Sequence, residues 1–283
     1  VFRPPSEAES LILQVTLGCS HNLCTFCSMY TTKQFRVKTQ EEIQKNIREA
    51  KHVAGSEVQR VFLADGDAMC LSTRRLLEIL DQLNDSFPRL QRVGIYANAR
   101  DVLKKTNKEL EQLRERKLRI LYIGLESGDE ETLVRIEKGA KAEEIVEAVK
   151  RAQAARMKTS VMVLIGLAGR ERSLVHGKSS AIAINRMEPT YTALLTYTPV
   201  PGSKLFEKIG RGEFELPSAR ESLLEIREFL ANLSCRTYFT CNHASNYLPL
   251  TGILPEHKED LLATLDAALR NEIPLKPEFL RGL

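Results

Sequence analysis

Strand-length apolar runs alternate with helical stretches through the first two thirds of the chain, and no other feature constrains the fold as tightly. The runs fall at residues 11–16, 61–64, 93–97, 120–125, 159–165 and 192–196. Between the first two, Thr39 with Glu42 three residues on forms a capping-box signature, after which Ile43, Ile47, Ala50 and Ala54 keep a helical period. Leu76, Leu77, Ile79, Leu80 and Leu83 mark the next helix, and residues 143–155 and 171–186 two more. Parallel strands need a long crossover, usually a helix, so six regular β-α units predict an α/β fold with a parallel sheet. That sheet is either doubly wound or closed into a partial barrel. In both, chemistry gathers at the carboxyl ends of the strands. The cysteine loop follows the first run, Asp65-Gly66-Asp67 the second, Asn98 and Arg100 the third, Glu126-Ser127-Gly128 the fourth, and Gly166 the fifth.

From about Thr198 the pattern changes. Pro199-Val200-Pro201-Gly202 breaks the alternation, and residues 221–233 and 256–269 read as helices. Between them lies a polar, aromatic stretch with Cys241, His243, Asn246 and Tyr247. With 283 residues, 43% of them hydrophobic, the chain can bury a large core, which excludes wholesale disorder. The 41 basic and 37 acidic residues leave a net charge of only +4, which gives no argument for a nucleic-acid partner. The longest apolar run, residues 161–168, falls far short of the ~18 needed to cross a bilayer. The opening residues lack an apolar signal core, so the expected compartment is the cytoplasm.

Six cysteines are too few, and too unevenly spaced, for a disulfide scaffold. Cys19, Cys24 and Cys27 crowd into nine residues, while Cys70, Cys235 and Cys241 are scattered. Three thiolates on one loop, spaced Cys-x4-Cys-x2-Cys, can bind three irons of a cubane and leave the fourth iron open to a ligand. The same spacing suits a [2Fe–2S] cluster completed by Cys70, or a structural zinc completed by His21 or Cys70. Those alternatives describe an iron–sulfur electron-transfer protein or a zinc-stabilised binding protein. The β-α units with their polar strand ends point instead to an enzyme.

The cysteine loop, with Phe26 before its last cysteine, and the run Gly124-Leu-Glu-Ser-Gly-Asp-Glu-Glu-Thr-Leu133 resemble the radical S-adenosylmethionine (radical SAM) superfamily. The likeness is to its coproporphyrinogen-oxidase-like and methylthiotransferase-like core branch, and covers roughly residues 8–200. The resemblance implies a partial parallel (β/α)6 barrel of TIM type over residues 1–198, with a helical C-terminal extension over residues 199–283 covering its mouth. It implies that Cys19, Cys24 and Cys27 ligate a [4Fe–4S] cluster whose open iron takes the amino and carboxylate groups of SAM. Phe26 would face the adenine, and Gly166 would let the backbone approach it. Asp65, Gly66 and Asp67 would stand where the family has a Gly-Gly-Glu turn at the methionine amino group. Glu126, with Ser127, would meet the ribose or methionyl end, and Asn98 and Arg100 would contact SAM or substrate. The reaction implied is reductive cleavage of SAM to methionine and a 5′-deoxyadenosyl radical, which abstracts a substrate hydrogen atom. A reducing partner such as flavodoxin or ferredoxin would supply the electron. Two departures stand out: the family's usual spacing is one residue shorter, and Asp-Gly-Asp replaces Gly-Gly-Glu.

Other residues carry weaker signals. Arg170 and Arg172 present planar forks suited to a carboxylate. His176 reads as a satisfied helix histidine. Cys241, His243 and Tyr247 are the candidate catalytic residues of the extension, since a thiol near a substrate radical can donate a hydrogen atom. Cys235 reads as a buried free thiol. The chain has no cobalamin-binding Asp-x-His-x-x-Gly segment, no second cysteine-rich domain and no basic, aromatic face for tRNA. The expected substrate is therefore a small molecule, with tetrapyrroles as one class.

Overall fold

The structure is a computed structural model that describes residues 2–282. The fold is α/β. Its main sheet has eight strands in the order β1-β4-β5-β6-β7-β8-β9-β10. The runs β1-β4-β5-β6 and β7-β8-β9 are parallel, and β10 is antiparallel to β9. This mostly parallel sheet with intervening helices is that of a partial TIM-type barrel. The strands are β1 (Leu11–Gln14), β2 (Thr16–Leu17), β3 (Arg36–Val37), β4 (Arg60–Ala64), β5 (Arg92–Tyr96), β6 (Leu118–Glu126), β7 (Lys158–Ile165), β8 (Tyr191–Thr196), β9 (Thr237–Thr240) and β10 (Thr251–Leu254). The helices are α1 (Gln40–Ala54), α2 (Thr73–Ser86), α3 (Ala99–Leu103), α4 (Asn107–Glu115), α5 (Glu130–Arg135), α6 (Ala142–Ala154), α7 (Gly169–Met187), α8 (Lys204–Gly210), α9 (Ala219–Asn232) and α10 (Lys258–Leu269). Among the described residues no helix is long and apolar enough to cross a membrane.

The chain divides into two compact units. One comprises Val1–Asn22, Met29–Ile123 and Glu147–Thr159; the other comprises Leu23–Ser28, Gly124–Val146 and Ser160–Leu283.

In the first unit, β1 and β4 pair in register Leu11↔Val61, and β4 and β5 in register Val61↔Val93. Val61, Phe62, Leu63 and Ala64 are all buried, as expected for a strand covered on both faces. Helix α1 starts at the expected capping box: Thr39 accepts from the Glu42 N–H, and Glu42 accepts from the Thr39 N–H. Helix α2 buries the stripe Leu76, Ile79, Leu80 and Leu83. The single strand expected over residues 11–16 is two strands. Val15 donates its N–H to the Ala64 carbonyl while its own carbonyl accepts from Lys38, and β2 turns away to pair with β3.

In the second unit, β7 and β8 pair in register Val161↔Thr192, and α7 packs along α9. Gly177 of α7 makes that approach tight, because a Cβ there would lie 2.6 Å from the Glu225 carbonyl oxygen. The extension is not purely helical. Residues 237–240 form β9, parallel to β8 in register Tyr191↔Tyr238, and β10 follows it.

Candidate active site

In the first unit the polar residues that end β1, β4 and β5 come together. Asp65 is fully buried. Its N–H donates to the Thr16 hydroxyl, and its Oδ2 accepts from the Gly18 N–H at 3.1 Å, Gln14 Nε2 at 3.0 Å and Lys33 Nζ at 3.4 Å. One carboxylate oxygen thus ties down Gly18, just before Cys19, and Lys33, six residues beyond Cys27. Its other oxygen, Oδ1, is buried without a partner, as is Nδ2 of Asn98. Gly66 fills a space that admits nothing larger: a Cβ would lie 2.5 Å from the Tyr30 ring and 2.9 Å from the Cys19 Cβ. Burial, and then the neighbouring Asp65 carboxylate, raise the Tyr30 phenol and keep it neutral.

Asp67 accepts from the Ser20 hydroxyl, and from the Asn98 N–H at 3.3 Å. Arg100 lies 3.9 Å from it while donating to Asp101 at 3.0 Å and to the Ser20 hydroxyl. Burial, and then the neighbouring Asp101, push the Asp67 carboxyl up to about 6. Burial works against ionisation of Asp101 as well, yet Asp67, Arg100 and Lys104 together hold it below the usual range. Cys70 follows this turn, and burial with the Asp67 and Asp101 charges pushes its thiol up to about 12.

Cys24 and Cys27 belong to the second unit, on a turn closed by the Cys27 N–H donating to the Cys24 carbonyl at 3.2 Å. The Thr25 N–H donates to the Ile136 carbonyl, and the Thr25 carbonyl accepts from Leu205. Phe26 packs against the cluster of Leu133, Ile136, Leu167, Tyr197 and Leu205, so its ring is partly committed to the core. No disulfide involves any of the six cysteines. Among the described residues no three His, Cys, Asp or Glu side chains are already gathered as ligands for a metal ion. The chemistry of the donor set nevertheless suits an iron–sulfur cluster: Cys19, Cys24 and Cys27 are all part-exposed, unlike the enclosed Cys235 and Cys241.

Glu126 ends β6 at a φ of 61°, left-handed backbone that a glutamate rarely adopts. Its carboxylate accepts from Lys138 at 3.0 Å. Gly124 leaves room for that pair, since a Cβ there would meet the carboxylate at 1.9 Å. The Ser127 hydroxyl accepts from the Asp129 N–H at 3.0 Å and is occupied by that turn. Gly166, at the end of β7, donates its N–H to Glu225 at 2.9 Å. His176 is fully buried, as expected of a satisfied helix histidine, and it too meets Glu225.

The two arginine forks hold carboxylates of the chain itself. Arg172 makes a two-pronged contact with Asp129, at 3.0 and 2.8 Å, and Arg170 holds Glu215 and Glu221. In the extension, Cys241 is fully buried and its thiol is pushed up to about 12 by that burial alone. His243 and Tyr247 are half-buried. His243 bonds to the Ser245 hydroxyl at 2.9 Å, and Tyr247 donates to Glu278 at 2.7 Å. Between them, Asn246 anchors the segment to β8, donating to the Leu194 carbonyl and accepting from Thr196.

Sequence reasoning missed three buried carboxylates, Glu7, Asp101 and Glu225. Glu7 is enclosed by Arg92 at 2.7 Å, Tyr122 at 2.5 Å and Ser10, and nothing in its proline-rich surroundings signals this. Glu225 did leave a readable signal, since Ser222, Glu225, Ile226 and Phe229 form the buried stripe of α9.

A family profile described as the Radical SAM superfamily matches residues 13–172. No curated protein matches the chain. Among solved structures, coproporphyrinogen III oxidase from Escherichia coli is similar at a TM-score of 0.58 and 17% identity, covering 78% of this chain and 51% of that one. Methylornithine synthase is similar at 0.56 and 18%, covering 80% and 63%. A radical S-adenosylmethionine methyltransferase from Kitasatospora setae, solved with cobalamin and a [4Fe–4S] cluster, is similar at 0.56 and 15%, covering 72% and 39%. At such identities the likeness is one of fold. The chain spans less than two thirds of the length of each of these proteins.

Proposed function

This chain belongs to the radical SAM superfamily, and from that premise we propose that it cleaves SAM reductively and abstracts hydrogen from a small organic substrate. The family implies SAM and a [4Fe–4S] cluster. Cys19, Cys24 and Cys27 would hold the cluster. The chemistry that a bound cluster supplies is one-electron reduction of the SAM sulfonium, giving methionine and a 5′-deoxyadenosyl radical. The chain's own residues bind and orient. Asp65 Oδ1 and, when ionised, Asp67 would accept from the methionine ammonium, and Asn98 would donate to its carboxylate. Glu126 would meet the ribose, Gly166 would admit the adenine, and Phe26 would border it. His243 and Tyr247 are proposed as substrate contacts. Cys241 is not, because its thiol is sealed from any ligand.

The observation that carries this reading is the Asp65-Gly66-Asp67 turn. Its glycine lies against Cys19 too closely for a Cβ, Asp65 Oδ1 in it is a buried acceptor that no protein atom satisfies, and Asn98, whose N–H meets Asp67, carries a buried donor, Nδ2, in the same condition. Such groups are costly unless a ligand completes them. The amino-acid end of SAM carries both the donor and the acceptor required.

The test is anaerobic reconstitution with iron and sulfide, followed by SAM, dithionite and quantification of 5′-deoxyadenosine by mass spectrometry. We expect about four irons and four sulfides per chain, with 5′-deoxyadenosine above a Cys24→Ala control. A full cluster that yields no 5′-deoxyadenosine, and whose EPR signal ignores SAM, overturns the reading.

A further inference from the structure

Glu225, on α9, lies entirely inside the second unit and receives three donors. The Gly166 N–H reaches Oε1 at 2.9 Å, His176 Nδ1 reaches the same oxygen at 2.8 Å, and the Ser173 hydroxyl reaches Oε2. The other ring nitrogen of His176, Nε2, lies 3.1 Å from the Glu126 carbonyl oxygen. A carbonyl oxygen only accepts, so Nε2 carries a proton. The second hydrogen bond, between Nδ1 and Glu225, then holds the ring between the two elements. Burial is the largest single influence and would lower the His176 pKa, but the Glu225 charge and hydrogen bond, the Glu126 carbonyl and the Asp129 charge together leave it raised.

The pair reaches the backbone at two places, and both are strand ends. Gly166, at a φ of 84°, ends β7, and Glu126, at 61°, ends β6. Left-handed backbone at a glutamate persists only where its surroundings impose it. Here Lys138 holds the side chain, and His176 fixes where the carbonyl points.

We propose that His176 and Glu225 are positioning residues for SAM, one buried hydrogen-bonded pair that sets the backbone of Glu126 and Gly166 at the cofactor. The proposal rests on the reading above that Glu126 and Gly166 face SAM. It makes a glutamate from the C-terminal 85 residues, counted as 199–283, part of the cofactor site rather than of a cover.

The test measures SAM binding by equilibrium dialysis on reconstituted, unreduced protein, so that no turnover is needed. Iron content and thermal unfolding are followed in parallel. Glu225→Gln keeps the shape but removes the charge, and His176→Gln keeps only one donor. Each should weaken SAM binding by about tenfold or more, the scale of a hydrogen bond to a charged group. Iron per chain should stay near wild type. The double variant should bind no worse than the weaker single one, because the pair acts as a unit. Asn185→Ala is the control for structure alone. Asn185 also joins α7 to α9, donating to the Asn232 carbonyl at 2.8 Å, but it does not touch the pair. It should lower the melting temperature and leave SAM affinity unchanged.

SAM affinity within twofold of wild type in either iron-loaded pair variant overturns the proposal, and so does an equal loss in Asn185→Ala. If both pair variants fail to fold, the wild-type protein labelled with 15N-histidine decides. SAM should shift the His176 ring signals, and a bound SAM that leaves them unmoved refutes the idea. Wild-type protein with a full cluster and no affinity for SAM would instead bring down the function proposed above, and this inference with it.

Discussion

Asp67 shows how one side chain can couple cofactor binding and stability to pH with opposite signs. Its carboxyl is held up to about 6 by burial and by Asp101, well above its value in an unfolded chain. As an ammonium acceptor it works only when ionised. SAM affinity should therefore rise as pH climbs through about 6 and level off above it. Stability runs the other way. A carboxyl whose folded value is raised favours the folded state when protonated, and that contribution is lost as pH rises from the usual range near 4 through 6. Dialysis and thermal unfolding between pH 5 and 7.5 measure the two trends on one sample. Asp67→Asn should flatten both, and a variant that keeps the full pH dependence of SAM binding would assign the titration elsewhere. Asp67 was legible in the sequence because it stands in a contiguous motif, two residues beyond Asp65. Its shifted titration was not, because the cause includes Asp101, thirty-four residues away. Glu7 was illegible for the same reason: Arg92 and Tyr122, which satisfy it, come from distant strands.

Elements were readable where their signals are local. The capping box at Thr39 and Glu42 and the apolar stripe of α2 are set by side chains within a few residues of one another. Strand runs such as β4 were legible because strands covered on both faces are continuously apolar. β9 and β10 escaped, since four residues are too few to show a period of two and the pairing of β9 with β8, on which β10 then builds, is decided across more than forty residues. The α7–α9 contact is of the same non-local kind. Gly177 looks like an ordinary helix weakness, yet its missing Cβ is what allows α9 to approach. Gly177→Ala raises helix propensity by about 1 kcal/mol, but it forces the Glu225 carbonyl away from a contact of 2.6 Å. Overpacking of this kind costs roughly 1–3 kcal/mol, so the clash should outweigh the propensity. We expect a melting temperature several degrees below wild type, and a higher one would mean the helices can separate freely.

At the scale of the whole molecule, the question is whether residues 199–283 could be dispensed with. The compact unit that contains them also contains Leu23–Ser28, Gly124–Val146 and residues from Ser160 onward, so a cut at 198 would pass through its interior. Cutting there removes Glu225 and leaves the Gly166 N–H, the Ser173 hydroxyl and His176 Nδ1 without the partner they share. It strips β9 from the edge of β8, removes Leu205 from the cluster that holds Phe26, and frees the Thr25 carbonyl that Leu205 occupies. Each buried polar group so abandoned costs about 1–3 kcal/mol, and a domain has only about 5–15 kcal/mol of stability in total. A few such losses exhaust it before the lost apolar burial is counted. Residues 1–198 expressed alone should therefore show no cooperative thermal transition and should aggregate through the bared edge of β8. A soluble fragment melting near the full-length chain would mean that the core folds without its extension, and that Glu225 is an accessory to the strand ends rather than their support.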